Sequence, residues 1–222
     1  MTVVRPFGEA AFLVETQDAD AAERLRLALL LARVPGVAAL VPGRSSLLVE
    51  FDPLAVDGDR LREMLEADAS APLESPAGRV RRIPVVYGSD FGPDLDDVAA
   101  MAGVTPAEVV QAHVDTELRV LFCGFAPGFA YLGDVPDLLA VPRLPTPRSR
   151  TPAGSVALAD GMSGIYPADL PGGWRVIGRT PVPLFDARRD PPTYLAPGDR
   201  VRFTAIEAGD WDAHAAVAPA DW

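Results

Sequence analysis

Lysine and asparagine are absent from this chain of 222 residues, and all 20 of its basic residues are arginine. That excludes a Schiff-base lysine, a biotinyl-lysine and the lysine of a phosphate-binding P-loop. One cysteine, Cys123, and two histidines, His113 and His214, rule out an internal disulfide and leave a thiolate or imidazole zinc centre short of ligands. This scarcity suits a reducing compartment, and a cytoplasmic location is expected. Basic charge is short overall: 31 acidic residues give a net charge of −11, the wrong sign for gripping nucleic acid over a wide face. Long apolar runs are missing too. The longest, residues 27–40, is broken by Arg33, Pro35 and Gly36 and falls short of the roughly 20 residues a spanning helix needs. The opening MTVVRPFGEAAFLVE lacks the basic start and apolar middle of an export signal, so none is expected.

What is present reads as a soluble α+β protein in two parts. Residues 3–15 alternate like a strand after a Pro-Phe-Gly turn. Asp18 then offers an N-cap to a helix carrying Ala22, Leu25, Leu29 and Ala32 at helical spacing, stopped by Pro35-Gly36. Strand-like runs at 37–41 and 46–51 and a helix from about Gly58, with Leu61, Met64, Leu65 and Asp68 on one side, complete a β-α-β-β-α order. This is a small α+β sandwich. Residues 70–82 have linker composition, and the expected domains are 1–76 and 77–222. Composition shifts across that linker: 6 of 23 prolines lie in 1–82 and 17 in 83–222. The second part is therefore expected to be loop-rich and mostly β. It opens with a strand at 83–87 and a helix from Pro93 with Leu95, Val98 and Ala99 inward. Thr105-x-x-Glu108 is a capping box, with proline at the first helical position, for a helix reaching about His113. A strand over 118–123 and short apolar runs at 155–159, 174–177, 182–185 and 200–206 follow, in the rhythm of a barrel or sandwich.

Three constellations carry possible chemistry. The stretch 124–133, GFAPGFAYLG, packs three glycines and three aromatics into a strand exit. Its backbone either cups an oxyanion or makes a tight turn whose rings plug the barrel end. Residues 143–179 hold five arginines (143, 148, 150, 175, 179) and two aspartates, a basic island in an acidic domain. Guanidinium groups there serve either a small anionic ligand or salt bridges to nearby aspartates. The third is His113 with Glu117, where a helix C-terminus and a carboxylate favour a charged imidazole; it acts as a base or anion-binding cation, or simply caps the helix. Cys123 reads as a small buried hydrophobe and His214 as a tail residue. Asp94, Asp96 and Asp97 read as a helix cap and solvated face. Ser155 lacks a nucleophile-elbow pattern and is no serine-hydrolase nucleophile.

GEAAFLVE (8–15), RSSLLVEFDP (44–53), GFAPGFAYLG, TPRSRTPAGSV (146–156), SGIYP (163–167), PGGWRVIGRTP (171–181) and PGDRVRF (197–203) together resemble the family of 5-oxoprolinase B subunits. That family is also called allophanate hydrolase subunit 1 and includes the KipI-type inhibitors of a sporulation sensor kinase. The resemblance implies a cyclophilin-like β-barrel behind the small domain, and assembly with a cyclophilin-like C subunit and a separate A subunit. It implies ATP-dependent hydrolysis of 5-oxo-L-proline to L-glutamate by a complex in which this chain alone is inactive. The alternative is a kinase inhibitor without turnover. ATP is then the implied cofactor, with magnesium and a site shared with a partner; no metal ligand is assigned to this chain. Under the resemblance His113, Glu117 and Arg148 are catalytic. Arg143, Arg175, Gly124, Phe125, Gly128, Tyr131 and Ser155 bind substrate or phosphate. Val114 departs from the hydroxyl residue common after the family's histidine, which removes one hydrogen-bonding partner beside it.

Overall fold

The computed structural model describes residues 3–68 and 78–216. The chain divides into two units, Met1–Ala77 and Gly78–Trp222. In the first, β1 (Val3–Pro6) and β2 (Ala11–Glu15) form an antiparallel hairpin. The single strand expected over 3–15 is thus two, turned back after Phe7, whose N–H donates to the Ala11 carbonyl at 2.8 Å, where Gly8 takes φ +74°. Asp18 caps α1 (Ala19–Ala32), its Oδ1 accepting the Ala21 N–H at 2.8 Å. Ala22, Leu25 and Leu29 are buried as their spacing predicts, whereas Ala32 is exposed. Arg33 adopts a left-handed conformation and ends the helix. Then come β3 (Val37–Pro42), β4 (Ser46–Phe51) and α2 (Gly58–Asp68), and the sheet order is β1-β2-β4-β3, antiparallel throughout. Phe12, Val14, Leu47, Val49 and Phe51 from the sheet share one core with Leu25, Leu29, Leu61 and Leu65 from the helices. Each such buried side chain contributes about 1.5–3 kcal/mol of transfer free energy.

The first strand of the second unit is β5 (Val80–Tyr87), so residues 80–82 of the expected linker are strand; its 70–77 portion lies outside the described residues. Next are α3 (Leu95–Ala102), α4 (Pro106–Asp115), β6 (Glu117–Cys123), β7 (Ala130–Gly133) and β8 (Arg148–Thr151). They are followed by β9 (Ser155–Ala159), β10 (Met162–Ile165), β11 (Leu170–Gly172), β12 (Arg175–Arg179), β13 (Arg200–Ala205) and α5 (Trp211–Ala216). Seven strands close a barrel in the order β10-β7-β6-β13-β5-β12-β9, and β8 pairs with β11 apart from it. Among the described residues only the β13–β5 pair is parallel. A small α+β sandwich followed by a closed barrel is the architecture the sequence pointed to. The run 182–185 is not a strand, contributing one isolated bridge between Phe185 and Thr193.

Every residue of β9 is buried, because both faces are covered. Val156 and Leu158 enter the barrel core with Ile83, Val120, Leu132 and Val201. Ala157 and Ala159 pack instead with Phe129, Met162, Tyr166 and Trp174 in a second cluster. The capping box of α4 forms as its spacing predicts. Thr105 Oγ1 accepts the Glu108 N–H at 3.3 Å and Glu108 Oε2 accepts the Thr105 N–H at 2.8 Å, which holds the Glu108 carboxyl below its usual range. Val109 and His113 are the buried residues of that helix. Among the described residues, no helix is long and apolar enough to cross a membrane.

Candidate functional site

His113, in the last turn of α4, is 1% exposed. Its Nδ1 lies 2.8 Å from the Tyr87 hydroxyl and its Nε2 lies 3.2 Å from Ser163 Oγ. The Phe203 ring stacks on the imidazole at 4.3 Å between centroids. Burial pushes the imidazole down to about 3, so it is neutral, and the charged helix-end cation expected from sequence is corrected by desolvation. The pairing with Glu117 is corrected as well. Glu117 opens β6 and points to Arg202 (2.7 Å) and Arg200 (3.5 Å) on the neighbouring strand. A neutral imidazole between two hydroxyls donates to one and accepts from the other, a buried polar chain rather than a solvent-facing base.

The arginine island resolves into individual pairs. Arg143 Nε donates to Asp160 at 2.6 Å and Arg150 Nε to Asp169 at 2.8 Å, both on exposed surface. Arg148 Nη2 donates to Asp94 Oδ1 at 2.6 Å. Arg175 Nε donates to the Pro142 carbonyl at 2.9 Å, with Nη1 3.9 Å from Asp97. Salt bridges to aspartate therefore account for much of the island. Arg148 and Arg175 are anchored to the start of α3, by Asp94 and Asp97. Arg148 differs from its neighbours in one respect: its Nη1 is buried without an acceptor. The reading of Asp94 as a solvated helix cap is corrected. It is 4% exposed, makes no side-chain cap bond, and accepts the Val176 N–H at 2.7 Å through Oδ2.

The 124–129 backbone is a tight turn. Gly124, Ala126 and Phe129 spend their N–H groups inside it, on Phe129, Gly124 and Ala126 carbonyls. The N–H groups of Phe125 (φ +70°) and Gly128 (φ +84°) make no hydrogen bond among the described residues. A Cβ on Gly128 stands 2.8 Å from Phe185 Cβ and 2.9 Å from the Leu184 carbonyl, so close approach demands glycine there. The strand resumes at Ala130, and Tyr131 stacks on Phe122 at 4.4 Å. Phe125, Phe129, Tyr131, Tyr166 and Trp174 make edge contacts in one aromatic cluster. Arg143 borders it: burial raises the Tyr131 and Tyr166 hydroxyls, and the Arg143 charge partly offsets this. The stretch is thus a tight turn packed with rings, in which Phe125 is exposed and Gly128 buried.

Ser155 is 1% exposed at the start of β9 and offers no accessible hydroxyl. A cleft of about 380 Å³ lined by Tyr87, Ser89, Asp90, Phe91 and Glu207 contains none of the residues expected from sequence. The structure brings Arg148 and Arg175 to one helix start, and Tyr131, Phe125 and Arg143 to one aromatic surface; it separates Glu117 from His113. Sequence reasoning missed the roles of Asp94, Tyr87, Ser163 and Trp174. Ser163 and Trp174 lie within the SGIYP and PGGWRVIGRTP segments, which were the available signal.

Residues 2–195 match the family described as carboxyltransferase domain, subdomain C and D. The chain is 42% identical over 210 residues to the 5-oxoprolinase B subunit of Escherichia coli O157:H7, covering 91% of this chain and 95% of that one. It is 38% identical over 197 residues to the 5-oxoprolinase B subunit of Bacillus subtilis strain 168, covering 81% of this chain and 80% of that one. The crystal structure of TTHA0988 superposes with a TM-score of 0.78 at 38% identity, over 93% of this chain and 41% of that longer one. With its barrel, its motif segments and these relatives in agreement, the chain belongs to the carboxyltransferase-domain family of the 5-oxoprolinase B subunits.

Proposed function

We propose that this chain is the B subunit of an ATP-dependent 5-oxoprolinase, which with its A and C partners opens the lactam of 5-oxo-L-proline to give L-glutamate, and that it is inactive alone. The observation that carries this reading is the relation to the Escherichia coli protein over 95% of its length. The TTHA0988 chain is longer, this protein matching 41% of it, so in that protein the corresponding unit is continuous with further sequence.

Opening an unstrained lactam is difficult: phosphoryl transfer from ATP to the amide oxygen, releasing ADP, would activate the carbonyl carbon for attack by water. The C–N bond then breaks with a proton going to the ring nitrogen, and phosphate is released to leave L-glutamate. This chain's part is anion recognition. Arg148, with its unmatched donor, and Arg175 beside it bind a carboxylate or phosphate oxygen. The unpaired N–H of the exposed Phe125 serves developing oxyanion charge, and Tyr131 with Arg143 borders the aromatic surface against which a small flat ring packs. Without lysine, any phosphate oxygen this chain touches is met by arginine or backbone N–H. Most of the nucleotide is placed on a partner.

The test is glutamate and ADP release from 5-oxo-L-proline and magnesium ATP, with this chain co-expressed with its A and C partners and with the chain omitted. Release that requires the chain and falls at least 100-fold in Arg148→Ala supports the reading. No release from three folded proteins overturns it in favour of a binding protein without turnover.

A further inference from the structure

Asp94 lies where three elements meet. Its N–H donates to the Val176 carbonyl at 2.9 Å, and its Oδ2 accepts the Val176 N–H at 2.7 Å, so it is bonded in both directions to β12. Its Oδ1 receives Arg148 Nη2 from β8 at 2.6 Å. A carboxylate fixed at one oxygen by a backbone amide cannot rotate away, and its second oxygen becomes a fixed anchor for a planar guanidinium.

The state of that guanidinium is unlike that of its neighbours. Arg150 spends Nε and Nη2 together on Asp169, on exposed surface. Arg143 keeps its remaining donors on a side chain 57% exposed. Arg148 is about one-third exposed, and among the described residues neither Nε nor Nη1 has an acceptor, with Nη1 buried. Nη1, without accessible surface, is closed to a ligand, whereas Nε has no acceptor and is not buried, so Nε is the donor an anionic oxygen can reach.

We infer that Asp94 is a positioning residue: it holds one arm of the Arg148 guanidinium so that the accessible Nε meets an anionic oxygen of the bound substrate, a carboxylate or a phosphoryl group. This rests on the anion-binding role proposed above for Arg148. Asp94 itself touches no substrate and acts through Arg148.

The experiment uses two probes, 5-oxo-L-proline and inorganic phosphate, titrated calorimetrically into the full chain and the assembled complex. The variants are Asp94→Asn, Arg148→Lys, Arg148→Ala and the Asp94→Asn/Arg148→Ala pair. Asparagine keeps an acceptor for the Val176 N–H while removing the charge. One probe is expected to bind, and its identity tells a carboxylate site from a phosphate site. Asp94→Asn weakens that binding roughly 10- to 100-fold, as loss of a charge-assisted bond does. The double variant binds no more weakly than Arg148→Ala alone. In the complex, Asp94→Asn raises KM for the corresponding substrate at least 10-fold with kcat changed less than about threefold.

Binding unchanged in Asp94→Asn, or neither probe binding chain or complex, overturns the inference. So does a fall in kcat and thermal stability at constant KM, which marks a purely structural clamp. If Asp94→Asn fails to fold, Arg148→Lys decides: it keeps a charge against Asp94 without the planar fork, and unchanged binding there overturns the inference. A native complex that releases no glutamate, while probe binding still depends on Asp94, removes the oxoprolinase reading and leaves the positioning role standing.

Discussion

His113 and Ser163, 50 residues apart in sequence, meet at 3.2 Å beneath the end of α4, and the Tyr87 hydroxyl holds the other imidazole nitrogen at 2.8 Å. Every polar atom of that ring is matched inside a site closed to water. Removing one hydroxyl leaves a buried nitrogen unpaired, so Ser163→Ala and Tyr87→Phe are each expected to lower unfolding free energy by about 1–3 kcal/mol. Urea denaturation followed by tryptophan fluorescence measures this, and a loss below about 0.5 kcal/mol contradicts the network.

The same ring sets a pH dependence. Burial moves His113 from 6.5 down to about 3, so between those values the unfolded chain takes up a proton that the folded chain refuses. Stability therefore falls as pH drops through 6.5 toward 3, with a slope approaching about 1.4 kcal/mol per pH unit from this group. Urea midpoints at pH 7, 6 and 5 are expected to decline more steeply for the native protein than for His113→Gln. Parallel curves contradict a neutral buried imidazole.

Glu117 faces Arg200 and Arg202 at a strand edge, away from the imidazole. Partly exposed pairs of this kind are worth about 0–1 kcal/mol. Glu117→Gln is expected to keep turnover of the assembled complex within about twofold and to shift stability by less than about 1 kcal/mol. A tenfold loss of kcat returns Glu117 to the proton-transfer role its spacing suggested.

Gly128 combines φ +84° with backbone and side-chain atoms inside 3 Å of any added Cβ. Gly128→Ala is therefore expected to destabilise by about 1–3 kcal/mol and to displace the nearby Phe125 amide. Thermal unfolding reads the first effect and probe binding the second. A neutral outcome in both shows that the turn relaxes freely.

Local signals were legible in the sequence where both partners lie within a turn. Asp18 and the Thr105/Glu108 box capped the helices their spacing announced, and Leu95, Val98 and Ala99 faced inward as expected. Closure of the barrel was harder to read, because β7 and β10 span four residues each and show no resolvable period. The site was obscured for a related reason. Arg148 meets Asp94 across 54 residues and Asp94 meets Val176 across 82, so the sequence displayed an unpaired basic island and an unexplained acidic cluster. Glu117 looked like a partner of His113 because they are four apart, yet α4 ends between them and β6 carries Glu117 to another face.

The parallel β13–β5 pair bears on how the chain is made. β5 leaves the ribosome before the rest of the barrel, yet its two neighbours are β12 and β13, synthesised roughly a hundred residues later. Through that interval an apolar strand stands with both edges open, and loop-closure entropy must be met before either pairing forms. The small sheet ahead of it pairs strands close in sequence and can finish folding first. Chaperone occupancy during synthesis is therefore expected to begin with the emergence of β5 and to end only once residues 200–205 have cleared the exit tunnel.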